Sequence, residues 1–127
     1  MKYYAVIVAG GTGSRMKSAV PKQFMLINGK PVLMHTIGAF QSSKYKPEIL
    51  LVLNKDYHSL WSELCSRYNF DGQITVVENG EQRFHSVKNA LKLISDNSIT
   101  AIHDAVRPVV SVELIDHLYQ LTAANDA

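Results

Sequence analysis

The sequence predicts an α/β protein in which helices cover both faces of a mostly parallel β-sheet. Short apolar runs rich in β-branched residues alternate with segments of helical periodicity, in the order β-α-β-α-β-α-β-α. Strands that alternate with helices in this way form parallel sheets. The first apolar run, Tyr3–Ala9, contains no alternation of apolar and polar residues, which is typical of a strand covered on both faces.

Four strands follow from the apolar runs. They are predicted over Tyr3–Ala9, Glu48–Leu53, Ile74–Val77 and Thr100–His103. The second run is as continuously apolar as the first, and the third and fourth are short and β-branched, so all four fit a sheet with a buried centre.

Four helices separate and follow these strands. They are predicted from Pro31 to about Ser42, over Ser59–Tyr68, over Arg83–Ile94 and after Ser111. Pro31 suits the first turn of a helix and follows a tight turn at Asn28-Gly29. In the third helix, Val87, Leu91 and Ile94 form one apolar line. Ser111 is a suitable N-cap for the last helix.

Length and composition indicate one soluble globular unit. The chain has 127 residues, of which 46% are apolar and 19% charged, with a net charge of +2. This charge is too small to favour general binding of nucleic acid or a membrane surface. The single cysteine, Cys65, allows no intrachain disulfide, so we expect a cytoplasmic protein. A secretory signal is not favoured, because Arg15 and Lys17 follow the first apolar run closely.

Three segments rich in small or charged residues lie at the predicted carboxyl ends of strands. They are Gly10–Lys22, Glu78–Ser86 and His103–Pro108. Ligands of open parallel sheets bind outside these strand ends. The three segments therefore predict one binding site.

The first segment has the composition of a phosphate-binding loop. Its glycines let backbone N–H groups approach phosphate oxygens, and Arg15 and Lys22 add two cations. A tight turn that merely requires glycine is the structural alternative. Met16 stands where the dinucleotide-binding fingerprint needs a third glycine, and Gly13-Ser14-Arg15 does not match the end of a Walker A motif. A hydride-transfer dehydrogenase and a P-loop ATPase are therefore disfavoured.

The second segment opens a helix. Gly80 permits a turn, and the free N–H groups of the helix that follows can bind an anion or the edge of a base. In the structural alternative, Ser86 is a hydrogen-bonding residue of the first turn and Arg83 is a solvated surface charge.

The third segment offers a carboxylate. Asp104 at a strand end is suited to bind Mg²⁺ beside phosphates, and Arg107 follows it. Asp104 could instead cap a turn. A metal phosphohydrolase is disfavoured, because its site would need further His and Asp ligands and the other histidines show no ligand spacing. We expect His103 to pack or to form a hydrogen bond. Cys65 lies on the apolar face of its helix and is expected to be a buried structural thiol.

Four motifs together resemble the cytidylyltransferases that act on 2-C-methyl-D-erythritol 4-phosphate in isoprenoid biosynthesis. They are VAGGTGSRM, PKQF, GEQRFHSV and HDAVRP, and the resemblance runs from Val6 to about Tyr119. It implies a Rossmann-like nucleotidyltransferase fold. It also implies a reaction in which CTP and 2-C-methyl-D-erythritol 4-phosphate give 4-diphosphocytidyl-2-C-methyl-D-erythritol and pyrophosphate, with Mg²⁺.

The resemblance also implies roles for individual residues. Arg15 and Lys22 match the catalytic pair that stabilises transition-state charge. The residues implied to bind CTP are Ala9, Gly10, Gly11, Thr12, Gly13, Gly80, Glu81, Arg83, Ser86, Asp104 and Ala105. Asp104 also matches the metal region, and Arg107 is the arginine of the HDAVRP signature.

The chain departs from the family pattern at two residues and in its length. Val106 replaces a common alanine, and Glu81 stands where many members have aspartate. Relatives that use ribitol 5-phosphate share the glycine loop and HDAVRP, so that substrate is the alternative.

Family members are about twice as long, and the remainder carries a dimerisation arm and two basic residues that position the acceptor. Residues 1–127 are thus expected to be the nucleotide-binding portion of one domain, inactive alone, from a protein that forms a homodimer. A fragment that binds CTP without catalysis is a further alternative.

Overall fold

The computed structural model describes residues 2–9, 22–70, 72, 74–80, 83–105 and 111–125 (for 83, 84 and 125 the backbone alone). Within these residues the strands are β1 Lys2–Ala9, β2 Leu26–Ile27, β3 Lys30–Pro31, β4 Glu48–Leu53, β5 Ile74–Glu78 and β6 Ser98–Asp104. The helices are α1 Val32–Gln41, α2 His58–Arg67, α3 Arg83–Leu91 and α4 Val112–Asn125, with short 3-10 turns at Lys22–Phe24 and Lys55–Tyr57. None of the helices in these ranges is long and apolar enough to cross a membrane.

Four strands form one parallel sheet in the order β5-β4-β1-β6. From β1 the chain moves outward through β4 to β5, and then crosses back to place β6 on the other side of β1. The strand order therefore reverses between β1 and β6. Open α/β sheets bind their ligands at such a switch point, outside the carboxyl ends of the strands.

Apolar side chains cover both faces of the sheet. On one face, Ala5, Ile7 and Leu51 pack with buried residues of α1, α2 and α4. On the other face, Val6 and Val52 pack with Ala90 of α3. The predicted α/β class, with a parallel sheet and helices on both faces, is confirmed.

Helix α3 is shorter than the sequence indicates. It ends at Leu91 instead of Ile94, and the chain continues in tighter turns, in which the N–H of Leu93 donates to Ala90 (3.0 Å). The predicted apolar line through Leu91 is wrong, because that side chain is 46% exposed while Ala90 is buried. Val87 and Ala90, three residues apart, face the sheet, and Leu91 lies one position further round the helix.

The segment before α1 contains a small hairpin. The predicted turn at Asn28-Gly29 joins β2 and β3, and both residues have positive φ (51° and 83°), as two-residue hairpin turns require. Pro31 lies at the N-cap of α1, one position before the first helical turn expected for it. The cap predicted at Ser111 is confirmed, since its Oγ accepts from the N–H of Leu114 (3.1 Å).

Candidate functional site

The carboxyl ends of β1 and β6 meet at the switch point. Val8 is in register with Asp104, and the N–H of Ala105 donates to the carbonyl of Val8 (3.1 Å). Three of the predicted site residues, Ala9, Asp104 and Ala105, are thereby brought to one edge of the sheet. Asp104 is half-buried there, and Ala105 is buried.

A buried glutamine ties the residue after Lys22 to the end of β1. The Nε2 of Gln23 donates to the carbonyl of Ala9 (3.2 Å) across 14 residues of sequence, and Gln23 is only 7% exposed. Phe24 is also buried, while Lys22 is exposed. The 3-10 turn is thus anchored by two side chains and presents the Lys22 position beside the switch point. Gln23 is not among the site residues expected from the sequence, although an amide between a lysine and a core phenylalanine was a possible signal.

A second buried polar side chain reaches the end of β6. Thr36 lies in α1 with no exposed surface, and its hydroxyl donates to the carbonyl of Ala105 (2.9 Å). Thr36 is also absent from the site residues expected from the sequence, because a threonine inside an amphipathic helix carries no sequence signal for a partner 69 residues away.

A second part of the site, separate from the switch point, lies beyond β5. Strand register aligns Ala9 with Leu53 and Leu53 with Glu78. Gly80, two residues after Glu78, therefore lies at the same carboxyl edge of the sheet as Ala9. The N–H of Gly80 donates to Oγ of Ser86 (2.9 Å) in the first turn of α3.

Ser86 and Gly80 shape this loop together. Ser86 is 2% exposed, and its Oγ accepts a hydrogen bond from the N–H of Gly80. This is the local hydrogen-bonding role that the sequence offers as the alternative to ligand binding. A Cβ on Gly80 would lie 2.2 Å from Cβ and 2.9 Å from the carbonyl carbon of His85, so only glycine fits. Asn89 adds a further tie through its Nδ2, which donates to the carbonyl of Glu78 (3.2 Å).

The two halves of the site are separated by the width of the sheet. Neighbouring strands lie about 4.8 Å apart, so the ends of β5 and β6, three spacings apart in this sheet, are about 14 Å from one another. A ligand that touches both Gly80 and Asp104 must be extended. A nucleotide meets this requirement, whereas a single small anion does not.

Several predicted site residues lie outside the described residues. They are Gly10, Gly11, Thr12, Gly13, Arg15, Glu81 and Arg107, together with the side chain of Arg83. The structure therefore brings together Ala9, Asp104 and Ala105 at the switch point, with Lys22 beside them. It places Gly80, Ser86 and the start of α3 further along the same edge.

The donor chemistry at the switch point fits Mg²⁺. This ion takes one or two carboxylates together with phosphate oxygens of a substrate, and Asp104 supplies a carboxylate at the strand end. Among the described residues, no three His, Cys, Asp or Glu side chains gather as an all-protein metal cage.

Of two further residues with expectations from the sequence, His103 packs as expected, and Cys65 is only half-buried where a buried thiol was expected. The ring of His103 packs edge-on against Phe40, with 5.6 Å between ring centroids. Cys65 is half-buried against the main core cluster, and burial raises the pKa of its thiol, which disfavours the reactive thiolate.

Comparison with known proteins agrees with this geometry. The family model described as IspD, 2-C-methyl-D-erythritol 4-phosphate cytidylyltransferase, matches residues 3–127. The 2-C-methyl-D-erythritol 4-phosphate cytidylyltransferase of Bacteroides thetaiotaomicron is 44% identical over 127 residues, covering 100% of this chain and 58% of that protein. The protein of the same name from Azobacteroides pseudotrichonymphae is 47% identical, covering 93% of this chain and 53% of its own length.

A solved structure shows the same fold. The 4-diphosphocytidyl-2C-methyl-D-erythritol synthase of Anaerococcus prevotii superposes with a TM-score of 0.75 at 29% identity, covering 98% of this chain and 51% of that one. The chain thus spans just over half the length of these curated relatives. The family match along nearly the whole chain, together with the shared fold, shows that the chain belongs to the 2-C-methyl-D-erythritol 4-phosphate cytidylyltransferase family.

Proposed function

We propose that this protein transfers CMP from CTP to 2-C-methyl-D-erythritol 4-phosphate, giving 4-diphosphocytidyl-2-C-methyl-D-erythritol and pyrophosphate. The observation that carries the proposal is the family match over residues 3–127. The reaction belongs to the biosynthesis of isoprenoid precursors. The placement of Ala9, Asp104, Ala105, Gly80 and Ser86 along one edge of the sheet supports the proposal.

CTP would lie along the carboxyl edge of the sheet. We assign its phosphates to the backbone at Ala9–Gly13 and its ribose to the Asp104–Ala105 segment. The base is assigned to the turn at Gly80, together with Glu81, Arg83 and Ser86. The separation of about 14 Å between the ends of β5 and β6 supports this extended orientation of the ligand.

The chemistry is a substitution at phosphorus. A 4-phosphate oxygen of the acceptor attacks the α-phosphorus of CTP, a new P–O bond forms, and the bond to the pyrophosphate leaving group breaks. Negative charge develops on oxygens that the protein does not bond covalently, so catalysis depends on positioning and charge stabilisation. We assign this stabilisation to Arg15 and Lys22. Asp104 would hold Mg²⁺, which neutralises phosphate charge when bound.

The acceptor and the assembly belong to the proposal too. Because this chain covers 53–58% of two relatives, we propose that residues 1–127 form the nucleotide-binding portion of one nucleotidyltransferase domain. Acceptor binding and a homodimer would depend on residues beyond this portion. We further propose action in the cytoplasm, where CTP is available and where the lone Cys65 would remain reduced.

Two alternatives have different outcomes in the same assay. A ribitol-5-phosphate cytidylyltransferase would share the nucleotide site and differ in acceptor. A domain that binds CTP without catalysis would lack turnover with either acceptor.

The test is pyrophosphate release by the protein expressed from its complete gene, with CTP and Mg²⁺. We expect release with 2-C-methyl-D-erythritol 4-phosphate and much slower release with ribitol 5-phosphate or with ATP in place of CTP. Faster release with ribitol 5-phosphate would establish the alternative acceptor. Binding of CTP without release from either acceptor would overturn the catalytic proposal.

A further inference from the structure

We propose that Thr36 is a positioning residue, whose buried hydroxyl sets the orientation of the Asp104–Ala105 segment toward the nucleotide and its metal ion. The inference rests on the proposed function, because it concerns the segment assigned to the ribose and Mg²⁺. It adds a residue from α1, an element that contributes none of the residues assigned so far.

The geometry joins a helix to the end of a strand. The Thr36 hydroxyl donates to the carbonyl of Ala105 (2.9 Å), and a longer contact of 3.4 Å joins the same oxygen to the carbonyl of Val32 one turn earlier. The N–H of Ala105 donates to Val8 of β1 (3.1 Å). Ala105 is therefore fixed on both sides, by the central strand through its N–H and by α1 through its carbonyl.

The buried neighbours of Thr36 on α1 are apolar and do not require a hydroxyl group at this position. Leu33, Ile37 and Phe40 on the same helix are buried in the main apolar core, and valine has nearly the same shape as threonine. A threonine inside a helix ordinarily bonds only its own preceding turn. Here the shorter bond leaves the helix and reaches the residue directly after Asp104, so the hydroxyl acts on the site.

The mechanical consequence concerns the direction of Asp104. Ala105 lies one residue beyond the last residue of β6, where the regular ladder ends. Without the bond from Thr36, the carbonyl of Ala105 loses a buried partner, and α1 no longer restrains rotation about the Cα–C bond of Ala105, which loosens the backbone directly after Asp104. A displacement of about 1 Å at a catalytic segment can lower a rate by about a hundredfold.

The experiment compares three variants of the protein expressed from its complete gene. Thr36→Val removes the hydroxyl and keeps the shape, and Thr36→Ser restores the hydroxyl. Ser43→Ala is the matched control, because Ser43 is equally buried and its hydroxyl donates to Asp116 (2.5 Å) near the other end of α1. Turnover with CTP and acceptor is measured as a function of Mg²⁺ concentration, and amide hydrogen exchange is measured at Ala105 and, as an internal reference, at Leu51.

We expect Thr36→Val to lower kcat about tenfold or more and to raise the Mg²⁺ concentration needed for half-maximal rate. Thr36→Ser should restore both, and Ser43→Ala should change neither. Exchange at Ala105 should accelerate in Thr36→Val beyond any change at Leu51, because a local opening is made easier.

The outcomes separate this inference from the proposed function. If the unaltered protein releases no pyrophosphate, the proposed function fails, and exchange at Ala105 still decides whether Thr36 holds the segment. If the unaltered protein is active and Thr36→Val keeps its kcat and Mg²⁺ dependence, the inference is overturned. An equal loss in Ser43→Ala would also overturn it, because the effect would then reflect general stability.

Discussion

At the scale of single residues, the site depends on close contacts between backbone and buried side chains. Gly80 lies against His85 with no room for a Cβ, and its N–H donates a hydrogen bond to Oγ of Ser86. Gln23 fixes the carbonyl of Ala9 in the same way at the end of β1. These contacts hold the backbone that the proposed nucleotide would meet.

Replacing Gly80 by alanine should destabilise the protein by about 1–3 kcal/mol, the usual cost of forcing extra atoms into a packed site. Urea unfolding of the chain measures this change. Gly38→Ala is the control, because a Cβ there meets nothing within 4 Å and alanine favours the helix by about 0.5–1 kcal/mol. Equal effects of the two substitutions would contradict the packing at Gly80.

Removing either proposed catalytic cation should affect turnover more than nucleotide binding. Arg15→Ala and Lys22→Ala each remove a charge that interacts with growing transition-state charge, a contact worth about 10²–10³ in rate. The measurements are kcat for pyrophosphate release and the Kd for CTP, with exposed Lys92→Ala as the control. Wild-type kcat in a variant would remove that residue from the catalytic assignment, and an equal loss of kcat and affinity would indicate ground-state binding.

At the scale of elements, α4 packs onto the sheet through the buried side chains of Ile115 and Tyr119, and Tyr119 adds a hydrogen bond. The hydroxyl of Tyr119 donates to the carbonyl of Tyr4 (2.7 Å), and its ring packs edge-on against Tyr3 (5.3 Å between centroids). Burial raises the pKa of Tyr119 well above its usual range. The helix is therefore held by a phenol that must stay protonated in the folded state.

Tyr119→Phe should lower the free energy of unfolding by about 1 kcal/mol at pH 7, the net value of a typical hydrogen bond. Because the folded-state pKa of Tyr119 is raised, the unfolded chain ionises first as the pH passes about 10, and wild-type stability falls there. The difference between wild type and variant should shrink above pH 10. Urea unfolding at pH 7 and above pH 10 tests this, and a difference that stays constant or grows would contradict the docking role.

The sequence predicted the elements well where local signals determine them. The unbroken apolar runs of β1 and β4 and the Ser111 cap are confirmed as predicted. The end of α3 was wrong, because whether Leu91 or Ala90 faces the sheet depends on how the helix is rotated against β1, β4 and β5. Gln23 and Thr36 act across 14 and 69 residues, so local pattern could not reveal their partners.

At the scale of the whole molecule, the sheet has an apolar edge at β6. Among the described strands, β6 pairs only with β1, and Ile102 on it is 46% exposed. Next to it, α4 and β6 border an apolar groove of about 300 Å³ that includes Phe40, Ile99 and Leu118. Unprotected edge strands favour association between chains.

We therefore expect the 127-residue chain by itself to associate through β6. Ile102→Lys places a charge on this edge and should yield a monomer at concentrations at which the unaltered chain associates. Analytical ultracentrifugation measures this, with Leu26→Lys as the control, since Leu26 is 60% exposed on the β2–β3 hairpin, which forms a separate sheet. A monomeric unaltered chain, or association that persists in Ile102→Lys, would contradict this expectation.

We expect CTP to bind along the carboxyl edge of the sheet, from the switch point to the start of α3. The most direct measurement is a titration of the isotope-labelled chain with CTP and Mg²⁺, followed by backbone amide chemical shifts. We expect the largest changes at Ala9, Gly80, Ser86 and Ala105, and little change at the opposite ends of the strands, such as Lys2 and Glu48. Changes centred on the groove between β6 and α4, or no saturable change at all, would contradict this binding mode.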